Sequence, residues 1–147
     1  MLQRLGAYVF DTLLITIAIG AVFYLFLGFD ETLAAYMRDG ADDQDIRLRF
    51  IVERSAIRTV SLVCYLAYAT VAEASPLRGT LGKWLLSLQV VTLDGRPLDL
   101  RTSVVRNAGK LASLLTIIGA LVAIRSPLRQ AWHDRWSSTR VVHVPVP

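Results

Sequence analysis

Cysteine is nearly absent, with Cys64 the only one in 147 residues. A single thiol excludes an intramolecular disulfide and a cysteine-built zinc site. Cys64 lies inside an apolar run, the setting of an inert packed thiol. Histidine is almost as scarce. His133 and His143 are the two present, too few to make a metal centre without further ligands. Five prolines and nine glycines exclude collagen-like and Pro/Gly-rich disordered chains. Charge is thin as well. Charged residues make up 19% of the chain, against about 25% in an ordinary soluble domain. Hydrophobic residues reach 54%, and the mean hydropathy is +0.46. The formal net charge of +4 is spread along the chain and flanks apolar runs. That placement favours anionic lipid headgroups over nucleic acid as the partner.

What is present in excess is apolar length. Leu5 to Phe29 is 25 residues with one charge, Asp11. As a helix it covers about 37 Å, more than a hydrocarbon core of about 30 Å. It is too long and too acidic for a cleaved signal peptide, whose apolar core is about 7–15 residues. Thr59 to Ala72 is a second run of 14 uncharged residues, between Arg58 and Glu73. Snorkelling side chains at its ends extend it to a span over 55–75, and Ser75-Pro76 stops it. Leu111 to Ile124 is a third run of 14 residues. Its backward extension takes in Lys110 and Arg106, giving a segment over 104–124 at some cost.

Charge asymmetry orients these runs. Residues 30–54 hold seven acids and four arginines, whereas residues 75–110 hold six basic residues and two acids. Lys and Arg are retained in the cytoplasm. The N-terminus with Arg4 is therefore expected inside, 30–54 as an external loop, and 76–103 as a cytoplasmic loop. The basic tail, 125–147, also favours the inside. The third run then crosses with its tail outside against the rule, or dips in as a re-entrant hairpin around Gly119.

The loops carry weaker signals. Asp39-Gly-Ala-Asp-Asp-Gln-Asp45 lacks the alternating ligands and closing Glu of a calcium loop, so it reads as a solvated acidic turn. Glu31 to Arg38 has helical spacing. Residues 86–93 are β-branched in the middle, and Asp94-Gly95 follows them. Asp-Gly there predicts a hairpin, with Pro97 confined to an edge strand. The tail Thr139 to Val144 is a third strand candidate, expected to pair with 86–93. Gly79-Thr-Leu-Gly82-Lys83 has the wrong spacing for a Walker A loop. Trp84 beside Lys83 suits the start of an interfacial helix.

Several of these stretches together resemble the RDD family of small prokaryotic membrane proteins. Arg4-Leu-Gly-Ala-Tyr-Val-Phe-Asp11 resembles its opening. Glu73 to Lys83, with Thr80 and Gly82, followed by Leu88 to Pro97, is the most specific block. Arg106-Asn107 resembles the opening of its third apolar region, and Gln130-Ala-Trp-His133-Asp134 its closing block. Trp136-Ser-Ser-Thr139 departs from the small-residue step that usually follows. The resemblance implies one membrane domain over 1–147, in the plasma (inner) membrane of a prokaryote. It implies little about function, since transport is only proposed for the family.

Arg4 and Asp11, seven residues apart, share one helix face about 10 Å apart. Asp11, Glu73, Arg106 and Lys110 all fall at the inner side of the membrane. Charges in hydrocarbon are costly unless paired or hydrated. One inner-leaflet polar cluster follows: Asp11 and Glu73 as acids, Arg4, Arg106 and Lys110 as bases, capped by Asp134. Two readings of it stand open. Asp11 paired with Arg106 or Lys110 is a packing staple that fixes helix register, or Asp11 binds or relays a cation or proton. His133-Asp134 lacks the nucleophile and oxyanion donors of a hydrolase. No enzyme, cofactor or metal signature is present in the sequence. The expected fold is an all-α polytopic membrane bundle: two transmembrane helices, a third spanning or re-entrant segment, and a small cytoplasmic β-hairpin. The expected function is a component of ion or small-solute transport, acting as a homo-oligomer because three short helices hardly enclose a path. The alternative is a membrane adaptor or assembly partner.

Overall fold

The computed structural model describes residues 2–40, 42–115 and 132–144. It is mainly helical. α1 runs Leu2–Phe26, α2 Phe29–Asp39, α3 Gln44–Ala74, α4 Leu81–Leu85, α5 Leu100–Leu115 and α6 Trp132–Trp136. Two strands, β1 Leu88–Thr92 and β2 Thr139–His143, pair antiparallel. α1 and α3 are long and apolar enough to cross a membrane. The third apolar run continues past Leu115, so the choice between spanning and re-entrant, with Gly119, lies outside the described residues. The described residues form two compact units.

The first unit takes residues 12–65. α1 ends where Gly28 adopts φ 75°, a left-handed conformation that glycine enters at no steric cost. α2 then starts afresh, with Asp30 and Glu31 in its first turn and Arg38 in its last, complementing the helix dipole. α3 starts on a side-chain cap. Asp43 Oδ1 accepts the N–H groups of Asp45 at 2.8 Å and Ile46 at 3.2 Å. Tyr36 stacks on Phe50 with ring centroids 4.0 Å apart, and Arg47 donates to Gly40 O. These contacts explain why residues 30–54, expected as a loop, are mostly helix: α2, then the front of α3.

The second unit takes residues 1–11 and 66–147. Its sheet registers Leu88 with His143 and Thr92 with Thr139. Leu88, Val90, Val91 and Leu98 form its apolar core. The pairing of 139–144 with 86–93 is the expected one, but the hairpin across Asp94-Gly95 does not form. A turn does occur there, closed by Thr92 N–H on Arg96 O at 3.0 Å, with Gly95 at φ 81°. Residues 96–99 are not a strand, because Pro97 has no N–H to extend a ladder and Asp99 already begins α5. Asp99 Oδ1 accepts the Thr102 N–H at 3.2 Å, an N-cap. Both outer edges of the sheet are occupied. Val90 N–H donates to Arg78 O, and Arg4 Nη2 donates to Val141 O.

Candidate functional site

All the charged candidates lie in the second unit, at two separate places. The larger is centred on Glu73, the penultimate residue of α3, which is fully buried. Ser75-Pro76 turns the chain after α3 and brings Lys83 of α4 back onto Glu73 Oε1. Lys110 reaches the same oxygen at 3.1 Å. Arg106 Nη1 donates to Oε2 at 2.5 Å and Asn107 Nδ2 at 3.1 Å. These donors come from one face of α5, where Ser103, Arg106, Asn107 and Lys110 follow i, i+3, i+4, i+7 spacing. The amide of Asn107 is oriented by donation to Ser103 O, so its oxygen accepts from Lys110 Nζ at 2.6 Å.

Arg106 joins this centre to α6. Its Nε and Nη2 both donate to Asp134 Oδ1, at 3.0 and 2.7 Å. Arg4 of α1 donates to Asp134 Oδ2 at 3.5 Å. The network thus sets Arg4, Lys83, Arg106 and Lys110 against Glu73 and Asp134. Basic groups outnumber acidic ones by two in a region shielded from water. Burial pushes the Lys83 ammonium below its ordinary pKa, and the Glu73 carboxylate pulls in the opposite direction. Every carboxylate oxygen of Glu73 and Asp134 is engaged by a cationic group.

Asp11 lies apart from this network. Its Oδ1 accepts the N–H of Gly82 at 2.7 Å. Its Oδ2 is buried without a hydrogen-bond partner. The pairing of Asp11 with Arg106 or Lys110, expected for a staple, is replaced by this backbone contact. Arg106 is already spent on Glu73 and Asp134, and Lys110 lies on Glu73 and Asn107. The contact requires glycine. A Cβ on Gly82 would lie 2.5 Å from Ala7 O and 3.0 Å from Asp11 Cγ, so α4 touches α1 only because residue 82 has no side chain. The single polar cluster expected from the sequence is therefore two sites.

The RDD family model matches residues 1–138. The chain belongs to the RDD family. No curated protein and no solved structure matches it. The RDD assignment and the two apolar helices together indicate a membrane protein of unclear function.

Some site residues carried a different expectation. By sequence, Lys83 beside Trp84 is expected to start an interfacial helix. Here Trp84 is exposed, as are Leu81 and Leu85, while Lys83 turns inward to Glu73. In the sequence Asn107 and Thr80 stand out only as positions that match the family's motifs, and Ser103 and Tyr68 carry no expectation. The α5 residues were legible in principle from their helical spacing, but Tyr68 had no local signal. His133 belongs to α6, and its side chain is outside the described residues. Among the described residues no group of three or more His, Cys, Asp or Glu could hold a metal.

Proposed function

We propose that this RDD protein is a component of ion or small-solute transport in the plasma (inner) membrane of a prokaryote. The observation that carries the reading is Asp11, buried on a membrane-length helix with its Oδ2 unpartnered. Ionisable groups shielded inside a membrane protein are costly and mark ion, proton or solute pathways. Charge placement supports a multi-pass chain with its N-terminus in the cytoplasm. Arg4 and the basic 75–110 segment sit on the inner side, and the acidic 30–54 segment outside. Anionic headgroups face the inner basic residues. A path needs more helices than this chain supplies, so the working unit is a homo-oligomer.

The test is flux through proteoliposomes, measured across protons, several cations and several anions. Wild-type protein is expected to carry at least one species above empty vesicles, and Asp11→Asn to abolish that flux while staying folded. Wild-type vesicles that match empty ones for every species would overturn the transport reading. So would a strictly monomeric protein in mild detergent. Membrane crosslinking that captures a different protein through the sheet or the 30–54 segment, with no flux, would favour the adaptor reading instead.

A further inference from the structure

The short helix α4 touches both membrane-length helices, and the residues it touches report its depth. On α1 it meets Ala7 and Asp11. The Gly82 N–H donates to Asp11 Oδ1 at 2.7 Å, and a Cβ on Gly82 would lie 2.5 Å from Ala7 O. On α3 the Leu81 N–H donates to Tyr68 Oη at 2.6 Å. The middle residue of α1 is Leu14, and that of the apolar span 55–75 in α3 is Tyr65. At 1.5 Å per residue, Asp11 and Tyr68 each lie about 5 Å along the helix from its middle, and Ala7 about 10 Å. Half of a hydrocarbon core is about 15 Å. The length of α1 leaves roughly 3–4 Å spare at each end, and sliding it by that much keeps Ala7 and Asp11 inside the core. Tilt only shortens these depths. Two separate helices thus give α4 the same level.

The neighbouring contacts form a graded series. Before α4, the Gly79 N–H donates to Ala72 O at 3.3 Å, about 10 Å from the middle of the α3 span. After α4, Leu86 Cδ1 lies 3.7 Å from where a Cβ on Gly6 would be, about 12 Å from the middle of α1. Arg4, about 15 Å from that middle, reaches Val141 O of β2. The chain descends through Gly79, is deepest at Leu81 and Gly82, and climbs back to a sheet at the edge of the core.

The surface of α4 suits that depth. Leu81, Trp84 and Leu85 follow i, i+3, i+4 spacing and are all exposed, as is Leu77 before them. Gly82 and Lys83 are buried, and the charge of Lys83 is matched by Glu73. A short helix in water leaves its first N–H groups to the solvent. Here the amides of Leu81 and Gly82 both receive side-chain acceptors from α3 and α1, although Leu81 is itself exposed. Backbone donors need such internal partners where water does not reach.

We propose that residues 77–85 dip into the leaflet nearest the α1 N-terminus, with the Leu81, Trp84 and Leu85 face of α4 packed against phospholipid acyl chains. Part of what the sequence presents as a loop between α3 and α5 is then embedded in the membrane. The placement rests on α1 and α3 crossing the bilayer and does not need the transport reading to hold.

The experiment makes Trp84 the sole tryptophan, by Trp132→Phe and Trp136→Phe in the full-length chain. The protein is held in phosphatidylethanolamine–phosphatidylglycerol nanodiscs, which leave both faces open to water, and thermal unfolding checks the fold. Phospholipids brominated along their acyl chains are expected to quench most of the Trp84 emission, and iodide in the water to leave most of it. Iodide quenching as strong as that by brominated chains would place α4 at or above the headgroups and overturn the dip. Quenching by neither would mean that a second copy or another part of the chain covers the face, and would overturn the lipid contact. If the tryptophan variant fails to fold, single cysteines in a Cys64→Ala background decide. Leu85→Cys should react with a membrane-partitioning maleimide and resist a water-soluble one that labels Arg96→Cys, an exposed position. Water-soluble labelling of Leu85→Cys as fast as that of Arg96→Cys, or resistance to both reagents, would overturn the proposal.

Discussion

Glu73 and Asp11 are two acids of the same compact unit, both sealed from water, and they are treated in opposite ways. Glu73 receives Lys83, Lys110, Arg106 and Asn107 on its two oxygens. Asp11 receives one backbone amide on one oxygen and nothing on the other. A charge met by several opposite charges and oriented amides is satisfied, and it ties together the elements that supply them. Glu73 joins α3 to α4 and α5, and Arg106 carries the tie on to α6. A charge met by a single amide is incompletely satisfied. The first arrangement explains how the end of α3 is anchored. The second leaves one buried oxygen of Asp11 without a partner.

The largest effect should come from breaking the saturated site. Glu73→Gln removes the anion from beneath two lysines and an arginine that stay buried. Uncompensated buried charges of this kind cost about 3–5 kcal/mol. Thermal unfolding in nanodiscs should show the folded protein largely lost. A variant as stable as wild type would mean that water reaches this network and that the contrast with Asp11 is false. The Arg4–Asp134 pair should matter less, because the Arg4 side chain is 26% exposed and the contact is long. Exposed pairs are worth about 0–1 kcal/mol.

The second effect tests what holds Asp11 in place. Gly82→Ala puts a methyl 2.5 Å from Ala7 O, against backbone that cannot rotate away. Overpacking of this sort costs about 1–3 kcal/mol. The variant should be destabilised by that amount in thermal unfolding, since Asp11 is pushed off the Gly82 amide. A Gly82→Ala protein as stable as wild type would show that the close approach of α4 to α1 is not needed to hold Asp11.

How far this contrast was readable beforehand depends on range. Long apolar runs and charge asymmetry made α1 and the back of α3 plain, since both rest on local composition. Pairing of the tail with 86–93 followed from β-branched pattern. The hairpin failed because Asp-Gly reports a turn, not the strand after it, and Pro97 with the Asp99 cap redirected the chain into α5. The front of α3 was hidden because its charged residues resemble a solvated loop until the Asp43 cap and the Tyr36–Phe50 stack are known. Charge spacing gathered Asp11 and Glu73 at one level but could not tell which base met which acid. That depends on Lys83, brought round by Ser75-Pro76, and on a glycine that lets α4 touch α1. Both are tertiary facts without a local signature.

The smallest effect concerns a third carboxylate, which marks the exposed end of the comparison. Asp99 is open to solvent and caps α5, with its carboxyl held below the ordinary aspartate range by hydrogen bonds from Thr102. A folded-state pKa below the unfolded one means the cap stabilises α5 above the ordinary aspartate pKa of about 3.9. That contribution fades as pH falls through the lowered value. The Thr102 amide resonance should follow this titration in an acid series, and Asp99→Asn should keep the cap but lose the pH dependence. Asp99 has water to complete its solvation, and the hydroxyl and amide of Thr102 together lower its pKa. Asp11 has one amide and almost no water-facing surface, and its second oxygen is left unpartnered. Titration of Asp99 at or above the ordinary value would show that the Thr102 contacts do not hold this carboxylate in its charged form.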